Sequence, residues 1–394
     1  MQLTPDNRTL LPPSTNPNDG CNREAERLRG RYCFATGDAR ANENLHLTTM
    51  HLLWARQHNR VAEQLAKINP SWDDETLYEE SRRIVAAQLQ HITYQEFIPV
   101  ILGEQETNVR DLKPLESGYR QWTADTDESG TDPSIANSFA AAAFRFAHTL
   151  LPGLMKVADE QRGTSSYVEL HRMLFNPYSL YAEGGVKSSV ISATRNVIQM
   201  TSTHVTSQLT NHLFEDPVAN VTVPCGLDLV SLNIQRGRDH GLPGYIKWRE
   251  HCGLGKVESF SDLEGHLDPQ ALRDISSLYK SVHDVDLYTG ALAELPKADG
   301  IVGPTFACLI ADQFVRLQKG DRFWYEVSGQ PHSFAEGKII VDDRMIQKLY
   351  FNRILITDFN SFRIKRVLSY VAKLFSQKLV FSFYKKTQEF YCYC

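Results

Sequence analysis

The chain has 394 residues, 42% hydrophobic and 23% charged, which is the composition of a folded protein rather than a disordered one. Its formal net charge of -5 gives no indication of a nucleic-acid partner, which usually requires a basic face. No run of about 18 uncharged apolar residues is present, so we expect no membrane span.

The N-terminus and the cysteines give opposing indications of the compartment. The opening residues MQLTPDNRTLLPPSTNPNDG have neither the basic start nor the apolar segment of a signal peptide. Seven cysteines are present without a CxxC pair, which disfavours a zinc site or a thioredoxin-type motif. Asn7 and Asn220 each begin a glycosylation sequon, and sequons together with cysteines favour a secreted protein.

Helical periodicity predicts most of the secondary structure. Apolar residues recur at helical spacing over 44–68, and the Asn-Pro pair at 69–70 ends that pattern. A long helix is predicted over 71–103, because acidic residues fill its first turns and a glycine stands at its end. Residues 104–133 read as a loop, and 134–151 as a third helix rich in small residues. Further helices are predicted over 187–214, 243–252, 269–281 and 303–318. Because alternating β-branched residues are scarce, the sequence predicts a mainly α fold.

The composition changes near residue 335. Residues 336–394 carry 11 basic and 5 acidic side chains, many aromatic residues and no proline. This segment is either a basic amphipathic helix for a partner or a membrane surface, or a divergent terminus, and we favour the second interpretation.

His148 lies in the segment AAAAFRFAHTLLP. A histidine among apolar residues of a helix is most often a core residue. The alanines beside it, however, would let a flat ligand approach the backbone closely, with Phe144 and Phe146 as walls. An imidazole in that setting is suited to bind a haem iron axially.

The segment SLNIQRGRDHGLPGYIKW, residues 231–248, concentrates polar groups with a potential role at the same cofactor. The amide of Asn233 could accept the Nδ1 proton of an axial histidine and fix its tautomer. Arg236 and Arg238 could pair with two carboxylates such as haem propionates. The alternative is a surface turn with Arg–Asp pairs.

Arg40 and Glu43 lie three residues apart in GDARANE and so face one side of a helix. Taken alone, they are most simply a surface ion pair worth ~0–1 kcal/mol. His51 and His58, seven residues apart, would also share a helix face, but no carboxylate stands at ligand spacing, so we favour a structural role for them.

Five segments in this order resemble the animal-type haem peroxidases, over roughly residues 10 to 330. They are CFATGDARANENLHLTTMHLLWARQHNR, LYEESRRIVAAQLQHITYQEFIPVILG, AAFRFAHTLLP, LDLVSLNIQRGRDHGLPGYIKWR and GPTFACLIADQFVRLQKGDRFWYE. The resemblance is greatest to the peroxidasin and chorion-peroxidase branch. It implies the mainly helical fold of that family, present here in part.

The resemblance assigns a role to each candidate residue. His148 matches the axial ligand of the iron, and Asn233 matches its hydrogen-bond partner. Arg40 matches the arginine that polarises bound peroxide, Glu43 the glutamate that can esterify a haem methyl, and Arg236 an arginine that pairs with a propionate. The resemblance also implies disulfides Cys21–Cys33 and Cys252–Cys308, and leaves Cys225 without a partner.

The implied activity is reduction of hydrogen peroxide and oxidation of halide or phenolic donors through a ferryl state of haem b. The implied location is extracellular. A non-catalytic scaffold of the extracellular matrix is the alternative. Neither interpretation includes a nucleic acid or a membrane span.

The chain departs from the family pattern at both ends. In the family, a distal histidine, an adjoining aspartate and a calcium-binding loop lie upstream of the segment around Cys33. Only 32 residues precede Cys33 here, and none is a histidine. We therefore expect residues 1–335 to form a peroxidase domain without its distal-histidine segment and calcium loop, followed by a divergent tail at 336–394. Losing a positioned general base typically costs ~10²–10⁴ in rate, so we expect impaired activity, as for a truncated gene product.

Overall fold

The computed structural model describes residues 1–3, 9–14, 16, 19–122, 130–159, 164–215 and 226–334. Asn7, Asn220, Cys225 and the segment 336–394 lie outside these residues. The predictions about the sequons, the unmatched cysteine and the tail therefore stay predictions.

Helices dominate the described part of the chain, which confirms the mainly α fold. The α-helices are α1 (Glu24–Arg27), α2 (Leu45–Ile68), α3 (Asp74–Ile92), α4 (Ile98–Leu102), α5 (Glu104–Val109), α6 (Asn137–Ala141), α7 (Gly185–Arg195), α8 (Ser207–Thr210), α9 (Leu229–Asp239), α10 (Tyr245–His251), α11 (Pro269–Leu278), α12 (Leu287–Ala293) and α13 (Pro304–Lys319). Shorter 3₁₀ segments cover Ala39–Asn42, Ala143–Leu150, Leu170–Met173, Pro177–Tyr181, Phe260–Leu263 and Val282–Asp284, and a π-helical turn covers Thr93–Phe97.

The strands of the described residues form three two-stranded pairs. The strands are β1 (Gln2–Leu3), β2 (Thr9–Leu10), β3 (Arg120–Gln121), β4 (Leu154–Asp159), β5 (Thr164–Glu169) and β6 (Val327–Ser328). β1 with β2 and β4 with β5 are antiparallel, whereas β3 with β6 is parallel. The β4–β5 hairpin, in which Leu154 faces Glu169 and Asp159 faces Thr164, was not predicted from the sequence.

The chain divides into two compact units. Of the described residues, the first contains those within 1–134, 153–197 and 314–334, and the second contains those within 135–152 and 198–313. In the first unit, α2 packs against α3 and α7, and α7 packs against β4. α2 begins at Asn44, whose side-chain oxygen accepts a hydrogen bond from the backbone N–H of His46 (2.9 Å), an N-cap contact.

In the second unit, α12 is central and packs against α9, α10, α11 and the 3₁₀ segment Ala143–Leu150. Its Gly290 allows close approach to α10, because a Cβ there would lie 2.3 Å from Cγ of Tyr245. The third predicted helix is interrupted: α6 ends where Ala142 adopts φ -139° and ψ -66°, and the chain continues as the 3₁₀ segment.

Both disulfides implied by the resemblance are formed, Cys21–Cys33 in the first unit and Cys252–Cys308 in the second. Within the described residues, no helix combines the length and the apolar character that a membrane crossing requires.

Candidate functional site

The sequence-predicted residues fall into both units. Arg40 and Glu43 belong to the first, whereas His148, Asn233 and Arg236 belong to the second. Each group is described within its own unit.

His148 is a buried, neutral imidazole. It lies in the 3₁₀ segment Ala143–Leu150, all of whose residues are buried, and its own exposed fraction is 4%. Burial, reinforced by the positive charge of Arg145, lowers the pKa of His148 to about 3. The ring therefore carries no charge at neutral pH, which is the form that binds metals.

Asn233 joins His148 to two other buried side chains. It is the one buried residue of α9, and its Nδ2 lies 2.9 Å from Nδ1 of His148. The same Nδ2 donates to the hydroxyl of Tyr288 on α12 (3.3 Å). Its Oδ1 accepts a hydrogen bond from Nη1 of Arg145 (2.7 Å). The amide thus lies at the centre of a buried network.

The expected contact between Asn233 and His148 is present, with Nδ2 of the amide 2.9 Å from Nδ1 of the ring. Which of the two groups donates depends on the tautomer of His148, so acceptance of the Nδ1 proton by the amide stays a prediction. The guanidinium of Arg145, which can only donate, contacts the oxygen of the same amide.

Arg236 lies beside an aspartate of its own helix, α9. Its Nη1 lies 3.8 Å from Oδ2 of Asp239, and about a third (32%) of its side chain is exposed. Arg238 instead makes two hydrogen bonds to the carboxylate of Asp286, of 3.0 and 2.7 Å. The sequence analysis gave the two arginines the same role, but in the structure Arg238 is paired with a protein carboxylate.

Glu43 carries a half-buried carboxyl group that makes no hydrogen bond or ion pair with any described residue. It follows the 3₁₀ segment Ala39–Asn42, and its backbone oxygen accepts a hydrogen bond from the N–H of Phe175 (3.0 Å). Burial raises the pKa of Glu43 to about 7; the nearby charge of Arg40 opposes this shift, and that of Asp38 adds to it. Glu43 therefore keeps its proton to a higher pH than an exposed glutamate does.

Arg40 pairs with Asp38 and not with Glu43. Its Nε lies 3.0 Å from Oδ1 of Asp38, and its Nη2 lies 3.2 Å from Oδ2. Asp38 also accepts a hydrogen bond from the backbone N–H of Arg40 (2.9 Å), which caps the 3₁₀ segment. Arg40 therefore forms a bidentate ion pair with Asp38, and not the surface ion pair with Glu43 that the sequence alone suggested.

Each unit offers a group whose chemistry suits a cofactor. In the second unit, His148 offers a buried neutral imidazole whose Nδ1 lies within hydrogen-bonding distance of the Asn233 amide, and metal-binding histidines usually make such a bond through the ring nitrogen that does not bind the metal. In the first unit, the Glu43 carboxyl, which contacts no described hydrogen-bond donor, is a group suited to a polar or covalent bond with a ligand.

Three residues of these arrangements were missed by the sequence reasoning. Asp38 had a signal, since an Asp immediately before a short helical segment is a typical N-cap. Arg145 and Tyr288 had none, because they meet Asn233 from sequence distances of 88 and 55 residues.

Comparison with known proteins identifies the family of the chain. The animal haem peroxidase family matches residues 1–368. The human peroxidasin homolog is 39% identical over 82% of this chain, and the match covers 21% of that protein. Lactoperoxidase of Mesocricetus auratus is 36% identical over 84% of this chain and 44% of its own length. The chain thus spans about a fifth to a quarter of the peroxidasins it matches.

Solved structures show the same fold. Peroxidase A from Dictyostelium discoideum superposes with a TM-score of 0.66 at 34% identity, over 81% of this chain and 57% of its own. A fatty acid alpha-dioxygenase from Arabidopsis thaliana has a TM-score of 0.59 at 17% identity, over 86% of this chain and 52% of its own, and shows a likeness of fold alone. This chain is a member of the animal haem peroxidase family.

Proposed function

We propose that this chain is the haem-binding part of a peroxidase that reduces hydrogen peroxide and oxidises halide or phenolic donors. The observation that carries the proposal is His148, a buried neutral imidazole whose Nδ1 lies 2.9 Å from the amide of Asn233. Such a histidine is the usual axial ligand of a peroxidase haem.

The proposed roles follow from the chemistry of each residue. When bound, haem b supplies the redox chemistry of peroxide reduction. His148 would hold the iron, Asn233 orients the imidazole ring, and Arg236 would pair with a carboxylate of the cofactor. Glu43 would be the site of covalent attachment.

Arg40 would act on the peroxide. Its guanidinium keeps its positive charge at all relevant pH values and would stabilise negative charge that develops on an oxygen of the substrate. Asp38 fixes the direction of that guanidinium through two hydrogen bonds.

The test is reconstitution of the full chain with haemin. We expect a Soret band that is lost or strongly shifted in His148→Ala and is unchanged in His283→Ala, which removes an exposed histidine of the same unit. If His148→Ala binds haem like the unmodified chain, the ligand assignment is wrong.

A peroxide-dependent assay with guaiacol distinguishes the two functions. Turnover that falls in Arg40→Gln supports a peroxidase. Haem binding without any turnover supports the non-catalytic scaffold of the extracellular matrix instead. Halide oxidation, measured by trapping the oxidised halide, decides between the two classes of donor. Detection of the protein in culture medium would support the proposed extracellular location.

A further inference from the structure

Three oxidisable aromatic side chains lie buried against one another in the first unit. Tyr94 belongs to the π-helical turn, Trp324 and Tyr325 follow α13, and their exposed fractions are 3%, 3% and 5%. The ring centroids of Tyr94 and Trp324 lie 4.7 Å apart, and those of Trp324 and Tyr325 lie 5.2 Å apart. These are contact distances for aromatic rings. Because phenols and indoles give up single electrons readily, an electron can pass from one ring to the next.

Tyr325 has a base beside its hydroxyl group. The hydroxyl lies 2.9 Å from Nδ1 of His91, a residue of α3 that is 8% exposed. Burial, with the charge of Glu326 adding to the effect, raises the pKa of Tyr325, so the phenol keeps its proton at neutral pH. Loss of one electron reverses this, because an oxidised phenol is a strong acid. Its proton then needs an acceptor in contact, and an imidazole nitrogen that carries no proton is one.

Tyr94 lacks such a base. Its hydroxyl donates to the backbone oxygen of Phe314 (2.8 Å), and a peptide oxygen accepts a hydrogen bond but does not take up the proton. Burial raises the pKa of Tyr94 as well. The two tyrosines therefore share their burial and their tryptophan neighbour and differ in the group at the hydroxyl.

Trp324 lies between the two tyrosines beside a buried carboxylate. Its Nε1 donates to Oε2 of Glu326 (2.8 Å), which also accepts from Nε of Arg120 (3.1 Å). Glu326 is 2% exposed, so its negative charge acts on the indole with little screening by water. That charge stabilises the positive charge that the indole carries after losing an electron, although Arg120 offsets part of the effect. Trp324 is thus suited to pass an electron on.

We propose that Tyr325 is a redox site that holds one oxidising equivalent as a neutral phenoxyl radical, with Trp324 as the electron relay and His91 as the proton acceptor. A one-electron oxidant takes an electron from Tyr325 by way of Trp324 and is itself reduced by one electron. The O–H bond of Tyr325 breaks, and its proton binds Nδ1 of His91, which becomes an imidazolium. An electron from a phenolic donor, together with the returning proton, restores the phenol. For the oxidant used during turnover, a haem that has reacted with peroxide, this inference rests on the proposed function.

The first test needs no cofactor. In the full chain, a laser flash on tris(bipyridine)ruthenium with persulfate supplies a one-electron oxidant, and ascorbate then quenches radicals on exposed side chains. High-field electron paramagnetic resonance of the frozen sample should show a surviving tyrosyl signal with the g shift of a hydrogen-bonded phenoxyl oxygen. This signal should be lost from Tyr325→Phe. It should remain in Tyr94→Phe and in Tyr167→Phe, which removes a tyrosine of the same unit that is 65% exposed.

Two further variants test the proton acceptor and the relay. His91→Gln keeps a polar group beside Tyr325 but offers no base, so the radical should form more slowly by ~10² or more. Deuterium oxide should slow radical formation in the unmodified chain and have little effect in His91→Gln, whereas a merely structural role of His91 would give no such difference. Trp324→Phe keeps a packed ring that does not pass electrons and should also slow the reaction.

Two results in chains shown to be folded by circular dichroism would overturn the proposal. One is a surviving signal that remains in Tyr325→Phe, and the other is an unchanged rate of radical formation in His91→Gln. If Tyr325→Phe does not fold, the unmodified chain still decides, because a surviving signal without the g shift of a hydrogen bond contradicts the contact with His91.

The second test separates this inference from the proposed function. The haemin-loaded chain is mixed with hydrogen peroxide and frozen, and we expect the same signal, which should be absent from Tyr325→Phe. Guaiacol turnover without this signal would show that oxidising equivalents from the haem do not reach Tyr325, against the proposal. If the flash gives the signal but peroxide gives neither signal nor turnover, the proposed function fails while the Tyr325 site stands.

Discussion

The carboxylate of Asp38 holds the guanidinium of Arg40 through two hydrogen bonds, of 3.0 and 3.2 Å, and through a third to its backbone N–H. About a quarter of each side chain is exposed (27% and 25%), so the pair is only partly screened by water. A residue two positions away in sequence thus determines the direction in which the proposed peroxide-binding arginine points.

A double-mutant cycle measures this pair. Asp38→Asn keeps a side chain able to cap the 3₁₀ segment but removes the charge, and Arg40→Gln removes the other charge. We expect a coupling free energy of about 1 kcal/mol from urea unfolding of the two single variants and the double variant. Additive effects of the two substitutions would show that the pair contributes no net stability.

The same pair predicts a dependence of stability on acid. Burial would raise the pKa of Asp38, but the hydrogen bonds and charge of Arg40 lower it below its ordinary value of 3.8. The stabilisation is therefore complete above pH 3.8 and is lost as the pH falls through the lower pKa of the folded state. Urea unfolding of the unmodified chain and Asp38→Asn below pH 4 should show a steeper loss for the unmodified chain.

At higher pH, the raised pKa of Glu43 predicts that the free energy of unfolding changes with pH in the opposite direction. Its pKa is about 7 in the folded state against an ordinary value of 4.5, so the folded state binds the extra proton between these values. Stability should therefore fall as the pH rises from 4.5 to 7, by about 3 kcal/mol at most, since each pH unit is worth about 1.36 kcal/mol per proton. Glu43→Gln should flatten this part of the curve, measured by urea unfolding. Parallel curves for the two proteins would contradict the assignment.

Glu294 is a buried carboxylate whose hydrogen-bonding capacity is well satisfied. Its Oε1 accepts from Tyr245 (2.8 Å), Arg249 (2.9 Å) and the hydroxyl of Thr305 (2.6 Å), and its Oε2 accepts from the N–H of Thr305 (2.7 Å). Glu294→Ala would leave Arg249, 3% exposed, without its counter-charge. We expect a loss of about 3–5 kcal/mol in the free energy of unfolding, measured with urea.

A matched control is available on the surface of the same unit. Glu258 pairs with Lys256 at 2.6 Å, but both side chains are mostly exposed (60% and 72%). Glu258→Ala should therefore leave the midpoint of urea unfolding almost unchanged. Similar losses for Glu294→Ala and Glu258→Ala would show that the buried network does not hold the second unit together.

Local signals in the sequence were sufficient for some helices and not for others. The helix predicted over 44–68 is observed as Leu45–Ile68, because Asn44 caps its start and the Asn-Pro pair follows its end. The helix predicted over 187–214 instead stops at Arg195. There, Asn196 leaves the helix and its side chain exchanges hydrogen bonds of 2.8 and 2.9 Å with the backbone of Lys156 on β4. That partner is 40 residues away, so no local pattern revealed it.

The break at Ala142 in the helix predicted over 134–151 also depends on contacts that the local sequence does not show. The sequence from 134 to 151 contains no proline or glycine and predicts one continuous helix. In the structure, the side chain of Arg145 donates to the oxygen of Ala140, a carbonyl near the end of α6 where the regular helical pattern stops. The same arginine extends to Asn233, so the break and the network around His148 share a cause that lies in tertiary packing.

The candidate site residues, too, were predictable from the local sequence only in part. His148 and Asn233 were found from the sequence through the segments around them, and they lie in contact. The contact of Arg145 with the same amide was not predicted, because only the fold brings that side chain to Asn233.

Removing the imidazole while keeping its space should make the proposed ligand replaceable. His148→Gly leaves a cavity in a segment that is buried throughout, so we expect it to lose a few kcal/mol of stability and the Soret band of the haemin-loaded chain. Imidazole added to the solution should enter this cavity and restore the band, with a concentration dependence that saturates. Asn233 would still be present to bind the added ring, so His148→Gly with Asn233→Leu should need more imidazole for the same recovery. Failure of imidazole to restore the band in a chain that is shown to be folded by circular dichroism would mean that the iron is held elsewhere.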